Sequence, residues 1–339
     1  VVDVLRVSDL VITYRTPAGL VRAVDGVDFS LPPASMLGLV GESGCGKTTL
    51  ARALMGVLPA NARVAEGRIE LDGLDLLGLP LDRRREMLWR DISFIPQSAM
   101  NSLDPVYTLR KQMREVLCGR GGFSADAADK RAAELFASVG LGAARLADYP
   151  HQFSGGMRQR AAIALALALQ PKLVIADEPV TALDVIVQRQ VLDMFGQVGR
   201  EMGVAAIFVT HDISVVAYLC SITAVMYAGR IVEYGPTEDV LARPAHPYTM
   251  GLMNAFPDLE SSTDQLAPIE GSPPDLAHPP WGCRFAPRCP FVEERCRAGY
   301  PEIAAITPGD APGHWAACWR TDEAISLRKA AAEAKTWLS

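Results

Sequence analysis

One eight-residue stretch, Gly41-Glu42-Ser43-Gly44-Cys45-Gly46-Lys47-Thr48, restricts this chain more than any other part of its sequence. It follows the apolar run Leu37-Gly38-Leu39-Val40 and opens a helical pattern that continues from Lys47 to Val57. Glycines let successive backbone N–H groups curl round an anion at a helix N-terminus, where the peptide dipoles favour negative charge. The spacing is that of the P-loop, in which Lys47 reaches the terminal phosphates of a nucleotide and Thr48 holds magnesium. With glycine at about 7% of residues, four fixed positions arise by chance in roughly one chain of this length in a hundred. The flanking strand and helix lower those odds further.

A second segment has the form a phosphate site needs. Leu173-Val174-Ile175-Ala176 is a continuous apolar run ending in Asp177 and Glu178. In open α/β sheets, ligands bind where strands end. Asp177 is placed to complete a magnesium shell, and Glu178 to polarise an attacking water as general base. The remaining pattern is also α/β. Strands are expected at Leu10 to Tyr14, Val21 to Phe29, Gly67 to Leu71 and Val204 to Thr210. A helix is expected from Ala182 to Met202, and a helical insertion from about Asp104 to Tyr149 that includes Ala125 to Val139.

The 339 residues, 49% hydrophobic, suffice for one large domain and a smaller appendage. A net charge of -6 gives no basic surplus to grip a phosphate backbone, so nucleic acid is a poor default partner. No apolar stretch reaches the length of a membrane span; the longest candidate, Ala161 to Leu169, stops at Gln170-Pro171-Lys172. The first residues, Val1 to Arg6, lack the pattern of a secretory signal, which favours the cytoplasm. Prolines become frequent between residues 243 and 313, so a small separate domain is expected from near His246, ending in an amphipathic helix from Asp322 to Ser339. Cys45, Cys118 and Cys220 are scattered and read as space-filling, whereas Cys283, Cys289, Cys296 and Cys318 fall within 36 residues. In a reducing compartment such a group points to metal more than to disulfides.

Phe153-Ser154-Gly155-Gly156-Met157-Arg158-Gln159 resembles the signature of the ABC ATPases. In that family this helix start binds the γ-phosphate held by the opposite subunit, so the resemblance implies a dimer with ATP sandwiched between two P-loop domains. Other family elements follow in order. Gln97 resembles the Q-loop glutamine that senses magnesium and water, Ala182-Leu183-Asp184 the D-loop, and His211 the switch histidine. Tyr14 sits where the family keeps an aromatic residue to stack on adenine. The resemblance implies a nucleotide-contacting set of Tyr14, Gly41, Ser43, Gly44, Cys45, Gly46, Lys47, Thr48, Thr49, Ser154, Gly155, Gly156, Gln159, Asp177 and Asp184. Glu178, Gln97 and His211 would carry catalysis, and Thr48, Gln97 and Asp177 magnesium. It further implies a domain over residues 1–245, with parallel-sheet core, antiparallel β subdomain and helical subdomain near 104–165, followed by an extension over 246–339.

The loop and the signature lie about 110 residues apart, too close for the coiled-coil insertion of DNA-repair ABC ATPases, and a single P-loop argues against the translation type. Gln97-Ser98-Ala99-Met100-Asn101-Ser102-Leu103-Asp104-Pro105 looks like the segment that receives a permease's coupling helix. The tail narrows the branch: His246-Pro247-Tyr248-Thr249, Gly271 to Leu276 and Gly282 to Pro290 closely resemble the ending of dipeptide, oligopeptide and nickel importer ATPases. Val180 is a departure, where threonine is commoner.

The four tail cysteines are separated by five, six and 21 residues, wider than the pairs that grip zinc, while four thiolates also suit an iron-sulfur cluster. Spacing alone leaves both open; the resemblance, in which related ATPases carry a 4Fe-4S cluster at matching cysteines, favours the cluster over zinc. The implied partners are a second ATPase subunit, two transmembrane permeases and an extracytoplasmic solute-binding protein, with this chain peripheral on the cytoplasmic membrane face. Peptides lead as cargo, ahead of nickel and oligosaccharides. A soluble ABC ATPase that remodels protein or nucleic acid is the reading from another class.

Overall fold

The computed structural model describes residues 2–17, 19–97, 102–181, 183–254, 268–307 and 313–337. They form two compact units, one of residues 1–6, 31–36 and 69–209, the other of 7–30, 37–68 and 210–339.

Parallel strands Ile92–Ile95, Leu173–Asp177 and Ala205–Thr210 lie side by side in the first unit, with Ile92 opposite Leu173 and Leu173 opposite Ala205. The second and third are buried at every position. Strands covered on both faces have no solvent side to alternate toward, which is why they read as unbroken apolar runs. Helix Val185–Met202 packs here through Phe195, edge-on to Phe208 at 4.9 Å. It starts later than its pattern suggests because Asp184 caps it, accepting the Val187 N–H at 2.9 Å; Ala182 lies outside the described residues.

The helical insertion forms helices Leu109–Gly119 and Ala125–Ser138, with Gly155–Ala166 after them. Thr108, Ser124 and Ser154 each cap one, the hydroxyl accepting the backbone N–H three residues on. Leu109, Met113 and Leu117 on the first helix and Ala128, Ala132, Leu135 and Phe136 on the second are buried at the three-and-four spacing of a helix face. Arg114 grips both oxygens of Asp129 at 2.6 Å.

In the second unit, strand Met36–Val40 runs parallel to Ile222–Tyr227, which pairs antiparallel with Arg230–Pro236. The tail adds strands His314–Ala316 and Ala304–Thr307 beyond it. Strands Gly19–Leu31, Leu5–Thr16 and Ala62–Leu71 neighbour one another in a second sheet. Helix Lys47–Leu54 stops short of Val57: Gly56 is left-handed at φ 69° and the Val57 N–H returns to Arg52 O at 2.9 Å, satisfying the terminal carbonyls.

Residues beyond 246 are bound into this unit at several points. The fully buried Glu233 carboxylate accepts the N–H groups of Ala245 and His246 and meets His314 Nε2 at 2.8 Å. Asp25 takes Arg22, Arg230 and Arg284 together. Burial pushes its carboxyl up, but the three guanidinium groups outweigh that and hold it below the usual range. Tyr227, Tyr248 and Phe285, all fully buried, meet ring to ring at 4.5 to 5.4 Å.

The last segment is not one amphipathic helix. Its described part is a 3-10 turn Thr321–Glu323, helix Ala324–Ala331 and a 3-10 turn Ala334–Trp337; residues 338 and 339 lie outside it. The Trp337 indole and the Thr336 hydroxyl donate to the Ala331 and Ala330 carbonyls, ending the helix there. No helix among the described residues is long and apolar enough to cross a membrane. Phe136→Ala removes a ring with no exposed surface, and we expect a loss of about 3–5 kcal/mol in denaturant unfolding, against about 1 kcal/mol for the capping change Ser124→Ala.

Candidate functional site

The loop 41–48 leaves its strand and turns into helix Lys47–Leu54 through positive φ at Gly41 (153°), Gly44 (79°) and Gly46 (108°). Two of these glycines are also required by space. A Cβ at Gly41 would lie 2.0 Å from the Met226 carbonyl oxygen, and one at Gly46 2.3 Å from that of Ala23. Lys47 is buried, its ammonium donating to Gly41 O at 2.7 Å and Glu42 O at 2.9 Å and reaching Cys45 Sγ at 3.6 Å. Ser43, Gly44 and Thr48 are exposed, while Cys45 is buried. Tyr14 is half-buried beside the first helical turn, its hydroxyl 3.3 Å from Thr49 Oγ1. His211 is exposed just after the strand Ala205–Thr210, and the next residue, Asp212, caps helix Ile213–Leu219 through Ser214 N at 2.8 Å.

In the first unit, Asp177 is buried at the end of its strand. Glu178 follows in the left-handed region at φ 47°, its N–H bonded to Val209 O at 2.8 Å. For a non-glycine residue that conformation costs about 1–2 kcal/mol, and such outliers gather at functional positions. The Glu178 carboxylate is aimed by two side chains: Gln97 Nε2 donates to Oε2 at 2.8 Å and Thr181 Oγ1 to the same oxygen at 3.3 Å. The structure thus joins Gln97 to Glu178, 81 residues apart. Val180 is buried, which suits its apolar side chain.

Ser154 is exposed at the start of helix Gly155–Ala166, and its hydroxyl accepts the Met157 N–H. Gly155 and Gly156 form the first turn, with Gly156 pressed on the neighbouring helix: a Cβ there would lie 2.5 Å from Val187 Cγ1. Gln159 is set differently from the rest of this group, 2% exposed with its Nε2 lacking a hydrogen-bond partner among the described residues. Asp184 is exposed and spends one oxygen on its helix cap. Ser98, Ala99, Met100 and Asn101, part of the segment read as a permease contact, lie outside the described residues.

All four tail cysteines are unbridged and line one small cavity, with Phe285, Phe291 and Trp319 among its other walls. Burial pushes the Cys283 thiol up and those of Cys289 and Cys318 up to about 12. Backbone N–H groups point back at the sulfurs, including Arg320 N to Cys318 Sγ at 3.4 Å. Among the described residues, no three or more His, Cys, Asp or Glu side chains are gathered closely enough for a single metal ion.

Thr181, Tyr248 and Arg288 carry no role in the sequence motifs, yet each holds a residue of the site. Tyr248 Oη accepts the Glu42 N–H at 2.9 Å, and Arg288 holds the Glu42 carboxylate. The one available signal was that both lie in the tail motifs, His246 to Thr249 and Gly282 to Pro290.

Residues 24–181 match the family described as "ABC transporter", and residues 232–296 the one described as "Oligopeptide/dipeptide transporter, C-terminal region". The chain is 42% identical over 325 residues to "Oligopeptide transport ATP-binding protein OppD" of Haemophilus influenzae, covering 95% of this chain and 99% of that one. It is 42% identical over 323 residues to "Dipeptide transport ATP-binding protein DppD" of Bacillus subtilis, covering 94% and 95%. Among solved structures, it is similar to the ATP-binding cassette MJ0796 in a dimeric post-hydrolysis state bound to ADP and Pi, with TM-score 0.61, 25% identity, and coverage of 69% of this chain and 98% of that one. It is likewise similar to cbiO1 of Clostridium perfringens, with TM-score 0.60, 26% identity, and coverage of 71% and 91%. The expected α/β ABC cassette stands, and the chain belongs to the ABC transporter family as an ATP-hydrolysing, ATP-binding subunit of its oligopeptide/dipeptide branch.

Proposed function

We propose that this chain drives the import of di- or oligopeptides, working as a dimer of ATPase subunits at the cytoplasmic face of the membrane beside two permeases and an extracytoplasmic solute-binding protein. The observation that carries the reading is the likeness to oligopeptide and dipeptide transport ATP-binding proteins, which runs on past the nucleotide-binding residues into the tail. Support for a dimer comes from Val185 and Ile186, 82% and 72% exposed beside Asp184: two apolar side chains that a second subunit would cover. The similar cassette MJ0796 is itself described as dimeric.

Each residue takes a role its setting permits. Lys47, held over the loop carbonyls, exchanges those contacts for the terminal phosphates of ATP. Glu178, oriented by Gln97 and Thr181, accepts the proton of the attacking water. Ser154 with the N–H groups of Gly155 and Gly156 meets the γ-phosphate of the partner's nucleotide, and Asp184 and His211 act at the same closed interface. Tyr14 stacks on the base. Thr48, Asp177 and Gln97 supply hydroxyl, carboxylate and amide oxygens, the hard donors that magnesium takes. When bound, magnesium neutralises charge on the phosphates. The extension over 246–339 forms the second domain on this reading.

The four thiols line one cavity with aromatic neighbours and backbone N–H donors aimed at sulfur, a donor set and shell that suit a 4Fe-4S cluster. Burial favours the protonated thiols of Cys283, Cys289 and Cys318, so these three would give up protons on loading. Anaerobically purified protein should contain about four irons and four sulfides per chain; stoichiometric zinc without iron rules the cluster out.

Glu178→Gln is expected to cut ATP turnover by about 10²–10⁴ while ATP still binds, read from kcat and from equilibrium binding. Near-native turnover would remove the general-base role. Mild-detergent extraction from native membranes, with the co-purifying proteins identified by mass spectrometry, should recover two multi-span permeases. Recovery only from the soluble fraction, with no membrane partner, would favour a remodelling ATPase.

A further inference from the structure

The phosphate loop carries a carboxylate of its own. Glu42 is its second residue, and a negative side chain there opposes what the loop is built to hold, because its N–H groups and helix dipole favour anions. The structure answers that charge from 246 residues away. Arg288 Nη1 lies 3.0 Å from Glu42 Oε1 and 2.9 Å from Oε2. The guanidinium is fixed on its remaining sides: Nη1 also donates to Tyr227 Oη at 3.2 Å, Nε to Glu270 O at 2.9 Å and Nη2 to Ile269 O at 3.1 Å. The Arg288 side chain is 7% exposed and that of Glu42 25%. An arginine held this way has lost its freedom before any ligand arrives. Tyr248 secures the same residue through its backbone, accepting the Glu42 N–H, while the Glu42 carbonyl accepts from Lys47.

We propose that Arg288 is a positioning residue for the phosphate loop: it neutralises Glu42 and holds that carboxylate away from the nucleotide, which makes the C-terminal extension a determinant of ATP affinity. The inference rests on the reading of residues 41–48 as the cradle of the nucleotide phosphates. It gives the extension a task inside the ATPase cycle. Arg288 immediately precedes Cys289, one of the four thiols around the small cavity, so the backbone that places the guanidinium also lines that cavity.

A charge role and a mere staple between tail and loop make different predictions. Both expect Arg288→Met to do harm. Only the charge role expects the harm to vanish when Glu42 also loses its charge, because the staple stays broken in the double variant. The test uses the purified full-length chain and Mg-ADP, with calorimetric titration for affinity and steady-state ATPase for KM and kcat. R288M should weaken ADP binding by about tenfold and raise KM in step, the size expected for one uncompensated charge near a polyphosphate. Its kcat should stay within about twofold, because the residues around Glu178 are untouched. The double variant R288M/E42Q should return to within about twofold of the original affinity.

Native affinity in R288M, or a double variant as weak as R288M, overturns the proposal. Should R288M not fold, E42Q alone decides: it leaves the Arg288 charge uncompensated beside the loop and should tighten ADP binding by about threefold or more, and unchanged affinity overturns the proposal. Lys47→Ala is the control for the reading beneath it. If K47A keeps full ADP affinity, the loop assignment itself has failed; if K47A loses binding while R288M does not, only the role of Arg288 has.

Discussion

Two backbone carbonyls, those of Met226 and Ala23, stand where side chains at Gly41 and Gly46 would have to be. This close approach dictates the shape of the phosphate loop, since the strand leading into it can run parallel to Ile222–Tyr227 only if the turn carries no Cβ at those points. The loop's curvature follows, and with it the inward placement of the Lys47 ammonium over the carbonyls of Gly41 and Glu42. A local motif is therefore held in form by residues far along the chain. Gly44, which has open space around it and only a positive φ to satisfy, is the least constrained of the three.

What was legible in the sequence was what is local. The loop, the buried strands and the signature helix each announce themselves through residues within about ten positions, because burial on two faces and helix capping leave marks at short range. The caps Asp184 and Ser154 show this: each side chain meets a backbone N–H three residues on. Helix ends were less legible, since Gly56 and the Trp337 indole end helices through bonds that the apolar pattern does not encode. Pairings across the chain were not legible at all. Nothing in the spacing of Gln97 and Glu178, or of Glu42 and Arg288, says that they touch. Gln159 shows the reverse limit, a residue singled out by its motif whose side chain the fold buries.

The tail is built on polar groups that burial makes costly to leave unpaired. Glu233 has no exposed surface yet is satisfied by two N–H groups and a histidine, and Asp25 by three arginines. Buried charges of this kind add little net stability over apolar packing, but removing one partner is severe, and that asymmetry fixes one arrangement of tail on core. The ring cluster of Tyr227, Tyr248 and Phe285 supplies the apolar part of the same junction.

Glu178 sits at φ 47°, where glycine or asparagine is at ease and glutamate is not. A change to either would relax the backbone and, by that measure, give a sturdier protein, while removing the carboxylate that Gln97 and Thr181 orient. On the general-base role proposed for Glu178, stability and activity pull in opposite directions at this residue. On that proposal, a search for hardier variants that scored only folding would drift here toward a subunit that folds well and turns over poorly.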